Sequence, residues 1–171
     1  MCARRPSVPR FSSKPGRVSR LMMLRWAYLV LRLYHFFFRP LTLGVRVMMI
    51  RDGKALLVRQ TYTDGWFMPG GGIKRGETSD TAARREAAEE VGAQLHDLKL
   101  LGAYTNFEEW KSDHNILFLS TDFSLSGEHD REIAEVSFFP LDALPAGLRQ
   151  GHRQRLEEYR TRSKIAQYGE W

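Results

Sequence analysis

A chain of 171 residues, 43% hydrophobic and 27% charged, is long enough for one domain with a full core plus an extension. Its single cysteine, Cys2, excludes an internal disulfide and a cysteine metal site, and it fits a reducing, cytoplasmic setting. The net charge of +6 is uneven: residues 1–51 carry 11 Lys/Arg and no Asp/Glu, and all 20 Asp/Glu come later. The basic balance therefore describes the head of the chain, and a nucleic-acid partner is not expected from it.

Residues 1–20 are basic and rich in Pro and Ser, and they read as a disordered tail. Their acid-free, Arg/Ser-rich composition is also that of an organelle transit peptide. Residues 21–39, LMMLRWAYLVLRLYHFFFR, read as an apolar helix. Arg25, Arg32 and Arg39 recur every seven residues and form a narrow basic stripe with His35 beside it. The longest unbroken apolar run, WAYLVL, is well short of the roughly 18–20 residues that a membrane span needs. Three placements stay open: packing on the following domain, lying on an anionic membrane surface or a partner, and a true anchor. Pro40 stops the helix.

From Leu43 the pattern becomes that of strands. LGVRVMMI predicts a strand, Asp52-Gly53 a hairpin turn and ALLVRQ the return strand. GWFMP reads as a short strand ending at Pro69. Residues 79–91 predict a helix, with Ser79 as N-cap, Asp80 in the first turn and Gly92 just past the end. Strands are expected at about 98–106 and 115–122, a polar loop at 123–133, a strand at AEVSFFP and a last helix at roughly 147–162. Strands with two helices outside strict alternation argue for a mixed sheet with helices on its faces. The expected domain runs from 41 to 163, with 164–171 as a C-terminal tail.

The chemistry concentrates in PGGGIKRGETSDTAARREAAEEVGA, residues 69–93. The glycines at 70–72 let backbone approach a ligand. Glu86, Glu89 and Glu90 share one helix face, where like charges at i,i+3 and i,i+4 repel by a few tenths of a kcal/mol per pair, roughly. A hard divalent cation reverses that penalty, since Mg²⁺ is held by carboxylates, waters and substrate phosphates. The clustering points to a metal–phosphate site. A solvated acidic face, softened by Arg84 and Arg85, is the alternative for an isolated EAAEE.

The wider spacing decides between them. Gly71, five residues, Glu77, seven residues, then Arg85-Glu86-Ala87-Ala88-Glu89-Glu90-Val91-Gly92-Ala93 resembles the Nudix box, with every fixed position present. Its seven fixed positions would match by chance roughly once in 10⁸ tries. The resemblance to Nudix hydrolases covers about residues 43–160 and leaves out the first 40. It implies an α/β/α sandwich around a mixed sheet, and hydrolysis of a diphosphate linkage in a nucleoside diphosphate joined to a group X. It further implies that Glu86, Glu89, Glu90 and the Gly71 carbonyl bind Mg²⁺ or Mn²⁺, and that Arg85 pairs with Glu77. The resemblance also implies that the base is a box glutamate, Glu89 among them, or an acid from a later loop. Glu135 is the first late candidate, with Glu132, and Glu108 and Glu109 follow.

Markers of substrate subgroups are missing. No proline lies between Ala93 and Phe139, and the tyrosine of dinucleoside polyphosphate hydrolases is replaced near its place by Trp110. A MutT-like enzyme with an open small-molecule nucleotide substrate is expected. Trp66, Tyr104, Phe107 and Trp110 are candidates for stacking a base, and Arg46, Arg59 and Lys111 for meeting phosphates. A Nudix-fold binding module without catalysis is the alternative, and the intact box argues against it.

Overall fold

The computed structural model describes residues 26–30, 33–34, 41–107, 112–161 and 168–171. The expected tail 1–20, most of the helix expected over 21–39, and Glu108, Glu109, Trp110 and Lys111 lie outside the described residues. Residues 26–30 and 33–34 are helical. None of the described helices is long and apolar enough to cross a membrane.

The strands are β1 (Leu41–Arg51), β2 (Lys54–Gln60), β3 (Ala93–Leu95), β4 (Lys99–Asn106), β5 (Ser112–Ser120), β6 (Phe123–Leu125), β7 (Ile133–Pro140) and β8 (Tyr168–Glu170). The helices with described bounds are α1 (Ser79–Val91) and α2 (Gln150–Arg160). Six strands form a mixed sheet in the order β7-β2-β1-β5-β4-β8, and β3 and β6 form a small second sheet. The β1–β2 turn is the predicted one. Asp52 and Gly53 have φ of 50° and 70°, the left-handed pair that a two-residue hairpin of this twist requires. β1 then pairs in parallel with β5 from Leu41–Ser112 to Met49–Ser120.

The alternation of β1 builds the two faces. Val45, Val47 and Met49 meet Ala82, Ala83 and Ala87 of α1 on one side. Met48 and Ile50 meet Leu148 and Leu156 on the other, at α2. The three alanines are fully buried, so α1 rests close against the sheet. The result is a helix on each face of a mixed sheet, the α/β/α arrangement.

Four elements differ from the sequence reading. GWFMP is not a strand of its own. It threads between β1 and β2, where Phe67 and Val58 exchange N–H···O bonds of 3.0 and 2.9 Å and the Pro69 carbonyl accepts from Val47 at 2.8 Å. Pro69 has no N–H to continue a ladder, and Gly70 turns at φ 144°. The N-cap of α1 is Thr78 rather than Ser79: Thr78 is extended, and its hydroxyl accepts from the Thr81 N–H at 3.4 Å. The polar segment 123–133 contains β6, paired with β3 directly after the box. Residues 168–170, expected in a tail, form β8 on the outer edge of β4.

Candidate active site

The box loop is fixed first by glycines. A Cβ on Gly70 would lie 2.1 Å from the Val45 carbonyl oxygen, and one on Gly71 would lie 2.7 Å from the Glu86 carboxylate. Only glycine lets this backbone lie on β1 while facing a carboxylate. The Gly71 carbonyl accepts from Val45 N–H at 2.9 Å, which ties the loop to the sheet.

Arg85 binds loop to helix through all three of its nitrogens. Nε and Nη2 donate to the two oxygens of Glu77 at 2.7 and 2.9 Å, a bidentate pair. Nη2 also donates to the Gly72 carbonyl at 3.0 Å. Nη1 donates to Glu86 at 2.6 Å and Glu89 at 3.1 Å. The Arg85 hydrogen bond, with help from the Lys74 N–H, pulls the Glu77 carboxyl down to about 2. The same bond to Glu77 raises the Arg85 pKa, with Glu86 and Glu89 adding to it.

Glu90 sits differently. Its carboxylate accepts from the Gly70 N–H at 2.8 Å beneath the loop. Burial pushes it up to about 7, against the opposing effects of the Gly70 N–H and Arg46. Glu86 and Glu89 thus reach one guanidinium nitrogen, while Glu90 turns to backbone. Among the described residues no group of three acidic or histidine side chains stands as a ready-made cage. A guanidinium already lies where Glu86 and Glu89 converge.

The chemistry fits a hard divalent cation nonetheless. The donors are all oxygen, the Gly71 backbone faces Glu86 with no Cβ between, and two of the three carboxylates already share a positive charge.

The late acids separate. In β7, Glu135 lies opposite Arg59 of β2, and Arg59 Nη2 donates to it at 2.7 Å. By alternation both side chains share the face of Leu57 and Phe139, which is the α2 side, whereas α1 packs on Val58 and Val136. Glu135 therefore stands across the sheet from the box helix. Arg59 lies over Trp66, 5.9 Å from its ring centroid, and Trp66 packs edge-on to Phe139 at 4.7 Å. Arg59, Trp66 and Glu135 form one group of their own. Glu132 goes elsewhere: its carbonyl accepts from Thr61 N–H at 2.8 Å, and its charge, with those of Glu90 and Glu86, adds to burial in raising the Tyr62 phenol. Tyr62 was not legible, because nothing about a tyrosine two residues past a strand marks it. A β-bulge between Arg59 and Gln60 redirects the chain there.

A cleft of about 920 Å³ opens between the sheet and α2, lined by Arg46, Gln60, Asn115, Arg149, His152 and Trp171, with Phe107 at its edge. Arg46 connects it to the box, since its Nη1 donates to the Gly70 carbonyl at 2.6 Å. Phe107 is 63% exposed. Tyr104 is fully buried in the core and packs edge-on against Trp171.

The sequence profile of the NUDIX domain matches residues 40–159. The chain belongs to the NUDIX domain family. An RNA pyrophosphohydrolase of Edwardsiella ictaluri is 38% identical over 74 residues, covering 43% of this chain and 41% of that protein. The crystal structure of a MutT NUDIX hydrolase from Burkholderia pseudomallei superposes with a TM-score of 0.62 at 26% identity, over 68% of this chain and 96% of that one. A MutT protein from Bacillus halodurans gives 0.62 at 20% identity, over 74% and 86%, and shows the shared fold. The chain spans about two fifths of the length of the curated relatives it matches. The matched NUDIX region contains the box, α1 and all but the last residue of α2, and it leaves out residues 1–39 and the cleft residues Tyr28 and Trp171.

Proposed function

We propose that the protein hydrolyses a diphosphate linkage in a nucleoside diphosphate joined to a group X, or releases pyrophosphate from a nucleoside triphosphate. The observation that carries this is Arg85, which holds Glu77, the Gly72 carbonyl, Glu86 and Glu89 together beside the glycine loop that Arg46, a cleft residue, also binds. The relatives named RNA pyrophosphohydrolase and MutT support cleavage of a pyrophosphate bond.

Glu86, Glu89, Glu90 and the Gly71 carbonyl would hold Mg²⁺ or Mn²⁺, which when bound neutralises the diphosphate and lowers the pKa of a water. The chain's own residues do the rest. Arg85 and Glu77 orient the carboxylates through ion pairs. Arg46 presents positive charge where the cleft meets the box. Glu90 accepts the Gly70 N–H and so fixes the glycine loop beside the carboxylates. Of the described late acids, Glu132 acts on Tyr62 together with Glu90 and Glu86, whereas Glu135 is paired with Arg59, and Glu132 is favoured on that ground. Phe107 at the cleft's edge is favoured over Trp66 for contact with a base.

The test is a screen with Mg²⁺ over nucleotide sugars, ADP-ribose, dinucleotides, CDP-alcohols and oxidised and normal dNTPs, with products separated by mass. The expected result is turnover of at least one, giving a nucleoside monophosphate and X-phosphate, or pyrophosphate. Absence of turnover across the panel would leave the chain as a binding module.

A further inference from the structure

We propose that the helical residues 26–30 and 33–34 form a docking surface for an anionic lipid bilayer. Trp26, Leu29, Val30 and Leu33 recur at i, i+3, i+4 and i+7, which places them on one side of a helix. All four are exposed, at 64%, 48%, 63% and 60%. The domain does not use this side. Tyr28, the half-buried residue of the segment, is roughly opposite the stripe on a helical wheel and lines the cleft beside α2. The segment therefore touches the domain on one side and turns a tryptophan and three aliphatic side chains to the outside.

Charge selects the occupant. Residues 1–39 carry nine Lys/Arg and no Asp/Glu, and Arg25 and Arg32 bracket most of the stripe in sequence. Two copies joined along this stripe would bring two such heads together, and the repulsion disfavours self-association. An anionic lipid surface takes both features at once: the apolar side enters the boundary of the headgroups, and the cations stay in the headgroup layer. The segment lies on the bilayer, since its longest unbroken apolar run, WAYLVL, is well short of the roughly 18–20 residues that a span needs. Tryptophan suits that depth, with its apolar body and polar N–H.

The test is co-sedimentation of the full chain with vesicles of phosphatidylserine and phosphatidylcholine in equal parts, against vesicles of phosphatidylcholine alone. The expected result is pelleting with the anionic vesicles only. A Leu29→Ser/Leu33→Ser variant should bind them at least about tenfold more weakly, with an unchanged melting temperature. Leu100→Ser, which removes an exposed leucine of β4, should bind as the parent does. A protein that stays in the supernatant overturns the proposal, and so does a double variant that pellets as the parent does. Equal pelleting with both vesicle types removes the role of charge. A parent that dimerises without lipid, in a manner abolished by the double substitution, assigns the stripe to a second copy instead.

Discussion

Arg85 shows what one side chain contributes when its shape is used in full. A planar fork satisfies both oxygens of Glu77, a loop carbonyl and two box carboxylates. Lysine offers one nitrogen and cannot span these partners. Arg85→Lys should therefore lower kcat about 10- to 100-fold with little change in melting temperature, by analogy with the loss of other groups that orient metal ligands. Steady-state rates and a thermal melt measure this, and unchanged turnover would remove the bracing role. In the wall of the cleft, His152 is 4% exposed and its Nδ1 accepts from the Met68 N–H at 3.1 Å. Burial, then Arg46 and Arg149, lower its pKa well below the usual 6.5, so the folded protein holds it neutral. The unfolded chain takes a proton below 6.5 that the folded chain refuses. The stability from this site is therefore complete above 6.5 and falls as the pH drops towards the folded value. The melting temperature should decline from neutral pH to about pH 5, and less steeply in His152→Gln, which stays neutral. Parallel slopes for the two proteins would contradict this assignment.

At the scale of elements, the box loop depends on how closely backbone meets backbone. Gly53 and Gly70 both have positive φ, but a Cβ at Gly53 meets nothing within 4 Å, whereas one at Gly70 meets the Val45 carbonyl at 2.1 Å. Gly53→Ala should cost about 1 kcal/mol for conformation alone. Gly70→Ala should cost about 3 kcal/mol or more, because strand β1 must also move. Urea unfolding of the two variants measures the difference, and equal costs would mean that the loop is not held on β1 as described. The Asp52-Gly53 turn and the helix 79–91 were legible because their signals are local: a positive-φ pair, and a cap-to-cap run of helix formers. The GWFMP segment was misread because a bridging stretch between two strands has the same composition as a strand, and only Pro69 and Gly70 hint at the difference. β3, β6 and β8, three residues each, carry too little pattern to be read, and what makes them strands is a partner distant in sequence.

For the whole molecule, the same division holds in the site. The box residues were legible because their spacing is local to one loop and one helix. The late acid was not, since a one-residue alternation in β7 decides which face of the sheet Glu135 occupies, and register depends on β2. Arg46 and Gln60 reach the cleft from strands far from the box in sequence, and Trp171 reaches it from the far end of the chain. Its backbone N–H donates to the Thr105 carbonyl at 2.8 Å, and its ring fills a gap beside Gly151 that a Cβ would close. The protein thus joins a centre local in sequence, through Arg46, to a cleft assembled by the fold. The central claim is that the three box carboxylates serve hydrolysis by holding a divalent cation. The most direct measurement is turnover of the best diphosphate substrate against Mg²⁺ concentration in the parent, Glu86→Gln, Glu89→Gln and Glu90→Gln. The account predicts a saturable Mg²⁺ requirement in the parent and a loss of at least about 100-fold in each variant. Turnover that ignores Mg²⁺, or variants that match the parent, would contradict it.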